Sequence, residues 1–147
     1  MKKLLSLLLA VNLLFLSSCN AQQKLMQTVN DAGIIKQNEK KFIGKPFKDL
    51  LSEIEPEIKY AYGTPDYATI GVSGGQYIKF FFTQKDSAIN IIRKDLPRPT
   101  SITVTFMPDK STNLKPIPIG GISIDRKELV RLYGNMIVAR ISVFGSN

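Results

Sequence analysis

The chain has 147 residues, with 20 Lys and Arg against 12 Asp and Glu, one cysteine, and neither histidine nor tryptophan. Without histidine, Ser-His-Asp triads and histidine-liganded zinc sites are excluded, and a single cysteine cannot form a disulfide within the chain. The net charge of +8 is compatible with an acidic partner or with an ordinary solvated surface.

The first segment of the chain has the pattern of an export signal. Lys2 and Lys3 form a basic start, residues 4–16 are almost entirely apolar, and the small residues Ser17 and Ser18 follow. This order is typical of a secretory signal peptide. A transmembrane helix is disfavoured, because a helix over residues 4–16 would span only about 20 Å of a hydrocarbon core about 30 Å thick.

The segment ends in "LSSC", where Leu16, Ser17 and Ser18 precede Cys19. Together with the basic start and the apolar run, this pattern resembles the lipobox of bacterial lipoproteins. The resemblance implies that the Cys19 sulfur receives a diacylglyceryl group, that the bond between Ser18 and Cys19 is cut, and that the new amino terminus is acylated. The alternative is a buried free thiol. Removal of residues 1–18 would take two lysines from the +8 balance, leaving +6 on 129 residues, enough for one domain.

The residues after the cysteine, "NAQQK", contain no acidic side chain. By the same resemblance, the absence of aspartate beside the cysteine favours the outer membrane over the inner one, and the absence of acidic residues favours the periplasmic leaflet. We therefore expect a lipid-anchored envelope protein with a tether over residues 19–30 and a single domain over residues 31–147.

Two helices are predicted in the first part of this domain. Residues 31–42 begin at the candidate N-cap Asp31, and Gly44 follows their end. Residues 46–55 lie between Pro46 and Pro56, which a helix tolerates in its first turn and after its end. Their apolar residues have the spacing of one helix face: Phe47, Leu50, Leu51 and Ile54.

The apolar period then changes to two, which predicts strands. Residues 67–72 and 77–82 flank a glycine-containing turn, "SGG", and predict a hairpin. Two further strands are predicted at "SAINIIR" (residues 87–93) and "TSITVTF" (residues 100–106), and residues 107–121 are predicted to form a long loop or an irregular edge. The "GVSGG" segment lacks the lysine of a phosphate-binding loop, and "DKSTN" (residues 109–113) lacks the terminal glutamate of a calcium loop.

The last elements are a helix and a strand. Asp125 is the predicted N-cap, Glu128 its capping-box partner, and Gly134 the end of the helix. In the final strand we expect four apolar residues on one side: Ile137, Ala139, Ile141 and Val143. The whole pattern predicts an α+β fold, with a mostly antiparallel sheet of four to six strands and two or three short helices on one face.

Candidate sites are few. Glu53, Glu55 and Glu57 could act as the paired carboxylates of a glycoside hydrolase, but lysines flank them and a solvated charged face is favoured. Seven aromatic residues between positions 60 and 82 belong either to the core or to a partner site. Tyr77, Lys79 and Phe81 alternate with the apolar set and form the candidate binding face. The aromatic group is Tyr60, Tyr62, Tyr67, Tyr77, Phe80, Phe81 and Phe82.

These observations favour a membrane-anchored binding or accessory module that recognises a protein or cell-wall ligand through the sheet face or residues 107–121. We expect no catalytic residue, cofactor or metal, and no nucleic-acid partner, because no arginine-aromatic platform is present. The alternative is an immunity or inhibitor lipoprotein that neutralises a toxin or hydrolase. A third hypothesis is an enzyme that uses carboxylate, tyrosine or lysine chemistry.

Overall fold

The computed structural model of the protein describes residues 23–64, 76–94, 97–108, 117–118 and 120–145. It confirms the predicted α+β fold, because four helices accompany one antiparallel sheet of five strands in the order β4-β1-β2-β3-β5. The helices are α1 (Ala32–Gln37), α2 (Phe47–Ser52), α3 (Lys85–Arg93) and α4 (Arg126–Tyr133). The strands are β1 (Tyr60–Thr64), β2 (Tyr77–Phe81), β3 (Ser101–Phe106), β4 (Ile122–Ser123) and β5 (Val138–Phe144).

The main core lies between one face of the sheet and a layer that contains α1, α2 and α4. Phe47 on α2 packs on the sheet, with its ring centroid 6.1 Å from that of Phe80 and 5.2 Å from that of Phe106. Alternate strand residues reach this layer because successive side chains of a strand point to opposite faces. The sheet residues buried here include Ala61, Ile78, Phe80, Ile102, Val104, Val138 and Ile141.

The helices α1 and α2 follow the predicted spacing but are shorter than predicted. The predicted helix over residues 31–42 is divided into α1 and two flanking 3₁₀ turns, Val29–Asp31 and Glu39–Lys41. The second helix begins after Pro46, as predicted, and ends at Ser52 because Ile54 already bridges to Met26. The last helix, α4, has the predicted cap, since the Asp125 carboxylate accepts a hydrogen bond from the N–H of Glu128 at 2.8 Å.

The prediction of a strand at residues 87–93 is wrong, because this segment lies within α3. The isoleucines at positions 89 and 91 suggested alternation, but Ala88 and Ile91 also have helical i, i+3 spacing. In the structure, Ala88 packs on the sheet. A strand formed by residues 87–93 could not pair with β2, because β1 and β3 already pair with the two edges of β2.

The predicted side-chain pattern of β5 is wrong at its start. Arg140 pairs with Thr105 whereas Val138 pairs with Phe106, so Ala139 is the extra residue of a β-bulge. The bulge shifts the alternation by one position. Val138, rather than Ile137 or Ala139, therefore shares the core face with Ile141.

The predicted hairpin strand at residues 67–72, with the "GVSGG" and "DKSTN" segments, lies outside the described residues. The antiparallel partner of β2 on that side is β1, with Ala61 opposite Phe80 and Gly63 opposite Ile78. Among the helices that the structure describes, none is long and apolar enough to cross a bilayer.

The start of the described chain is docked on the domain. Met26 is fully buried, its N–H donates to the carbonyl of Glu53, and its own carbonyl accepts from the N–H of Glu55. Lys24 forms an ion pair with the Glu55 carboxylate at 2.5 Å. Lys24 and Met26, which lie within the predicted tether of residues 19–30, therefore contact the folded domain.

Candidate binding face of the sheet

The sheet face opposite the main core carries the candidate site. The strand register places Tyr60, Phe81, Ser101 and Phe144 in one row across β1, β2, β3 and β5. The neighbouring row contains Tyr62, Lys79, Thr103 and Ser142. The face is therefore aromatic at both ends of the first row and carries a single lysine in the middle of the second.

Helix α3 covers part of this face. Ala88 packs on Tyr60 and Phe81, and Tyr62 packs against the edge of this small second core. The ring centroids of Tyr60 and Tyr62 lie 5.4 and 5.8 Å from that of Phe81, in stacked geometry. Phe81 is consequently buried beneath the neighbouring side chains of this face. It is therefore not an exposed contact for a ligand.

The predicted trio of Tyr77, Lys79 and Phe81 is thus divided. All three lie on the face opposite Phe80, as the alternation predicts, but only Tyr77 and Lys79 are partly exposed. Of the remaining aromatic residues, Phe80 and Phe82 belong to the main core and Tyr67 lies outside the described residues.

Lys79 lies among aromatic rings. Its ammonium nitrogen is 4.6 Å from the ring centroid of Phe144, 5.4 Å from that of Phe81 and 6.0 Å from that of Tyr62. These distances are within the range of cation–π attraction. Burial lowers the pKa of the Lys79 ammonium, and the positive charge of Arg98 lowers it further.

A cavity of about 240 Å³ opens beside this lysine. Tyr62, Phe81 and Phe144 supply aromatic walls, and Lys79 and Arg98 supply two positive charges. Phe144 is 44% exposed. No carboxylate of the residues that the structure describes lines the cavity, and none of the ion pairs between these residues involves Lys79 or Arg98. Its chemistry suits a ligand that joins an anionic group to an apolar or planar group.

A glycine fixes the geometry at the end of β5. Gly145 has a φ of +71°, and a Cβ atom built there would lie 2.3 Å from the carbonyl oxygen of Arg98. The Thr100 hydroxyl donates to the carbonyl of Gly145 at 2.9 Å. These contacts hold the segment of Arg98 against the strand that ends in Phe144.

Each of the three glutamates considered for catalysis has a separate partner in the structure. Glu53 accepts a hydrogen bond from the N–H of Leu25 at 3.2 Å. Glu57 pairs with Lys59 at 3.0 Å and has 71% of its side chain exposed. The contact from Lys24 lowers the pKa of Glu55. Within the described ranges, no cluster of three metal-ligating side chains occurs.

Comparison with protein-family models, with curated protein sequences and with solved structures found no match for this chain. Sequence reasoning missed Arg98 and Phe144, which lie far from Lys79 in the chain and follow no recognisable motif. Only the strand register brings Phe144 beside Lys79.

Proposed function

We propose that this chain is a non-catalytic binding module of the cell envelope, anchored by lipid on Cys19, and that it recognises a protein or cell-wall ligand with the open face of its sheet. The observation that carries the proposal is the ammonium of Lys79, which lies in an aromatic cavity beside Arg98 and contacts no carboxylate of the described residues.

The surroundings of the Lys79 ammonium are unfavourable in the isolated domain and become favourable when an anionic ligand binds. Partial burial and the charge of Arg98 both disfavour the protonated form of Lys79, as its lowered pKa indicates. An anionic ligand group would compensate both effects, and the exposed ring of Phe144 offers apolar contact beside it. Because the rows of this face are fixed by backbone pairing, the ligand meets a largely preorganised surface.

Photo-crosslinking in intact cells tests the binding face. We expect p-benzoylphenylalanine in place of Phe144 to give a specific adduct that is lost when Lys79→Met is added. The same group in place of Met107, which is 42% exposed, is the control and should give no such adduct. Adducts that are absent, or that persist unchanged with Lys79→Met, would contradict the proposal.

The identity of the adduct also distinguishes the two roles that such a face could serve. A structural envelope protein or cell-wall fragment supports the accessory module, whereas a toxin or hydrolase supports the immunity or inhibitor alternative. No feature among the described residues favours the second role.

The anchor is tested separately. We expect the precursor to incorporate labelled palmitate and the Cys19→Ser precursor to incorporate none, because Cys19 is the only cysteine of the chain. Equal labelling of the two proteins would refute lipidation at this position.

A further inference from the structure

A second surface, on the helical side of the molecule, combines positive charge with an exposed apolar residue. Residues 40–48, called here the basic turn, follow α1 and lead into α2. Ile43 is 40% exposed in the middle of this segment. Four lysines of the segment are exposed: Lys40, Lys41, Lys45 and Lys48.

The basic turn lies beside the start of the described chain. A cavity of about 270 Å³ is lined by Gln23 and Leu25 from the N-terminal segment and by Lys41 and Lys45 from the turn. Only three residues separate Gln23 from Cys19. At about 3.5 Å per residue, the Cα atoms of Cys19 and Gln23 can be at most about 14 Å apart.

The N-terminal segment cannot swing away from this position without breaking the contacts that dock it. Met26 is buried between backbone hydrogen bonds to Glu53 and Glu55, and Lys24 pairs with Glu55. If Cys19 carries acyl chains in a bilayer, the basic turn is therefore held close to the headgroups.

Backbone hydrogen bonds connect the basic turn to β5 and close it on itself. The N–H of Gly44 donates to the carbonyl of Val138 at 2.8 Å, and the N–H of Lys45 donates to the carbonyl of Phe42 at 2.9 Å. Gly44 has a φ of +77°, which suits glycine. Ile43 is thus exposed because the backbone presents it outward, while the neighbouring Phe42 is buried in the core.

We infer that the basic turn docks on the anionic phospholipid headgroups of the leaflet that holds the anchor, with Ile43 inserted at the interface. This inference rests on the lipidation proposed above. Each lysine close to an anionic leaflet contributes about 1 kcal/mol, equivalent to roughly fivefold in affinity. Two carboxylates line the same cavity, Asp49 and Glu53, and Glu53 already accepts a hydrogen bond from the backbone of Leu25.

Tryptophan fluorescence tests this orientation directly, because the chain contains no tryptophan. The full-length protein carrying Ile43→Trp, expressed as its precursor and purified from membranes, is reconstituted in vesicles of phosphatidylcholine and phosphatidylglycerol. We expect brominated lipids to quench this residue. Phe144→Trp, on the opposite face of the sheet, is the matched exposed control and should not be quenched.

Charge is tested by adding Lys41→Gln and Lys45→Gln to the Ile43→Trp protein. We expect the quenching to fall, and to fall likewise in vesicles of phosphatidylcholine alone or at high salt. Equal quenching at positions 43 and 144, or none at position 43 in protein that floats with the vesicles, would overturn the docking and leave the anchor intact. Protein that does not float with the vesicles would instead contradict the anchor, and the docking inference with it.

Discussion

At the scale of single residues, the side chain that defines the candidate site is Lys79. The aromatic rings attract its ammonium group, but burial and the neighbouring Arg98 lower its pKa below the ordinary value of 10.5. A base with a lowered pKa in the folded state binds protons more weakly than it does in the unfolded chain. Protonated Lys79 therefore opposes folding, and this effect disappears as the pH rises from the lowered pKa through 10.5.

Replacement of this lysine should separate stability from binding. We expect Lys79→Met to unfold at the same or a higher urea concentration than the wild type at pH 7, with a gain on the order of 0.5 kcal/mol after solvent screening. The difference should shrink as the pH approaches 10.5. Urea titrations from pH 7 to 10.5 measure it, and Lys94→Met, at an exposed lysine outside the cavity, is the control. A clear loss of stability at pH 7 would show that Lys79 is a structural residue.

Two phenylalanines on opposite faces of the sheet should respond differently to the same change. Phe47 is fully buried against Phe80 and Phe106, so Phe47→Ala should lower the free energy of unfolding by about 3–5 kcal/mol. Phe144 is 44% exposed, and Phe144→Ala should lower it by less than about 1 kcal/mol while abolishing ligand capture. Denaturant unfolding and pull-down from membranes measure the two effects. A large loss of stability in Phe144→Ala would place that ring among the structural residues instead.

At the scale of the elements, β5 is an edge strand of the sheet, and an ion pair protects part of its outer edge. The N–H of Ile141 donates to the Glu39 carboxylate at 2.7 Å, and the carbonyl of Ile141 accepts from the Lys36 ammonium at 2.7 Å. Lys36 and Glu39 also contact each other. The two side chains thus satisfy backbone groups that would otherwise be available to another strand.

Glu39→Gln should weaken this protection. Burial alone would raise the pKa of Glu39, but the N–H of Ile141 and the charge of Lys36 hold it below its ordinary value of 4.5. A carboxylate with a lowered pKa stabilises the fold above 4.5, and this stabilisation is lost as the pH falls through the folded-state pKa. We expect Glu39→Gln to cost about 1 kcal/mol at pH 7 and progressively less below pH 4.5.

The measurement is denaturant unfolding of Glu39→Gln between pH 3 and 7, with Glu57→Gln as the control. The Glu57 side chain is 71% exposed, and we expect no measurable change from its replacement. If the loss in Glu39→Gln were independent of pH, the carboxylate would not be the source of the stabilisation.

The elements also show which parts of the structure local sequence patterns determine. The spacing of Phe47, Leu50 and Leu51 predicted α2, and the cap at Asp125 predicted α4, because both signals lie within one or two helical turns. The helix α3 and the bulge at Ala139 were missed, since each depends on which strands are already paired. The candidate site also combines local and long-range information. Alternation placed Lys79 on the correct face, but only the register of β2, β3 and β5 brings Phe144 close to Lys79.

At the scale of the whole molecule, the two proposed surfaces lie on opposite sides of the sheet. The basic turn belongs to the helical layer, next to Gln23. The aromatic cavity with Lys79 lies on the other face, where α3 covers only part of the sheet. A domain that rests on the bilayer through the basic turn would therefore present the cavity away from the membrane, towards a ligand in the surrounding compartment.

This arrangement depends on the short connection between Cys19 and Gln23. Insertion of about 20 Gly and Ser residues between Gln22 and Gln23 would give the connection a typical span of about 25 Å. We expect the inserted protein to remain lipidated and folded, because the insertion precedes the contacts that dock Met26. Quenching of Ile43→Trp by brominated lipids should fall, since the turn is then no longer confined near the headgroups.

Crosslinking from position 144 should persist in the inserted protein, because the cavity and its cations are unchanged. Comparison of the inserted and uninserted proteins separates the two surfaces: quenching in vesicles reports on the basic turn, and crosslinking in cells reports on the cavity. Quenching that is insensitive to the insertion would mean that the turn binds the bilayer without help from the short tether. Loss of crosslinking would mean instead that the ligand itself lies within a fixed distance of the membrane, so that the tether also determines which ligands the cavity can reach.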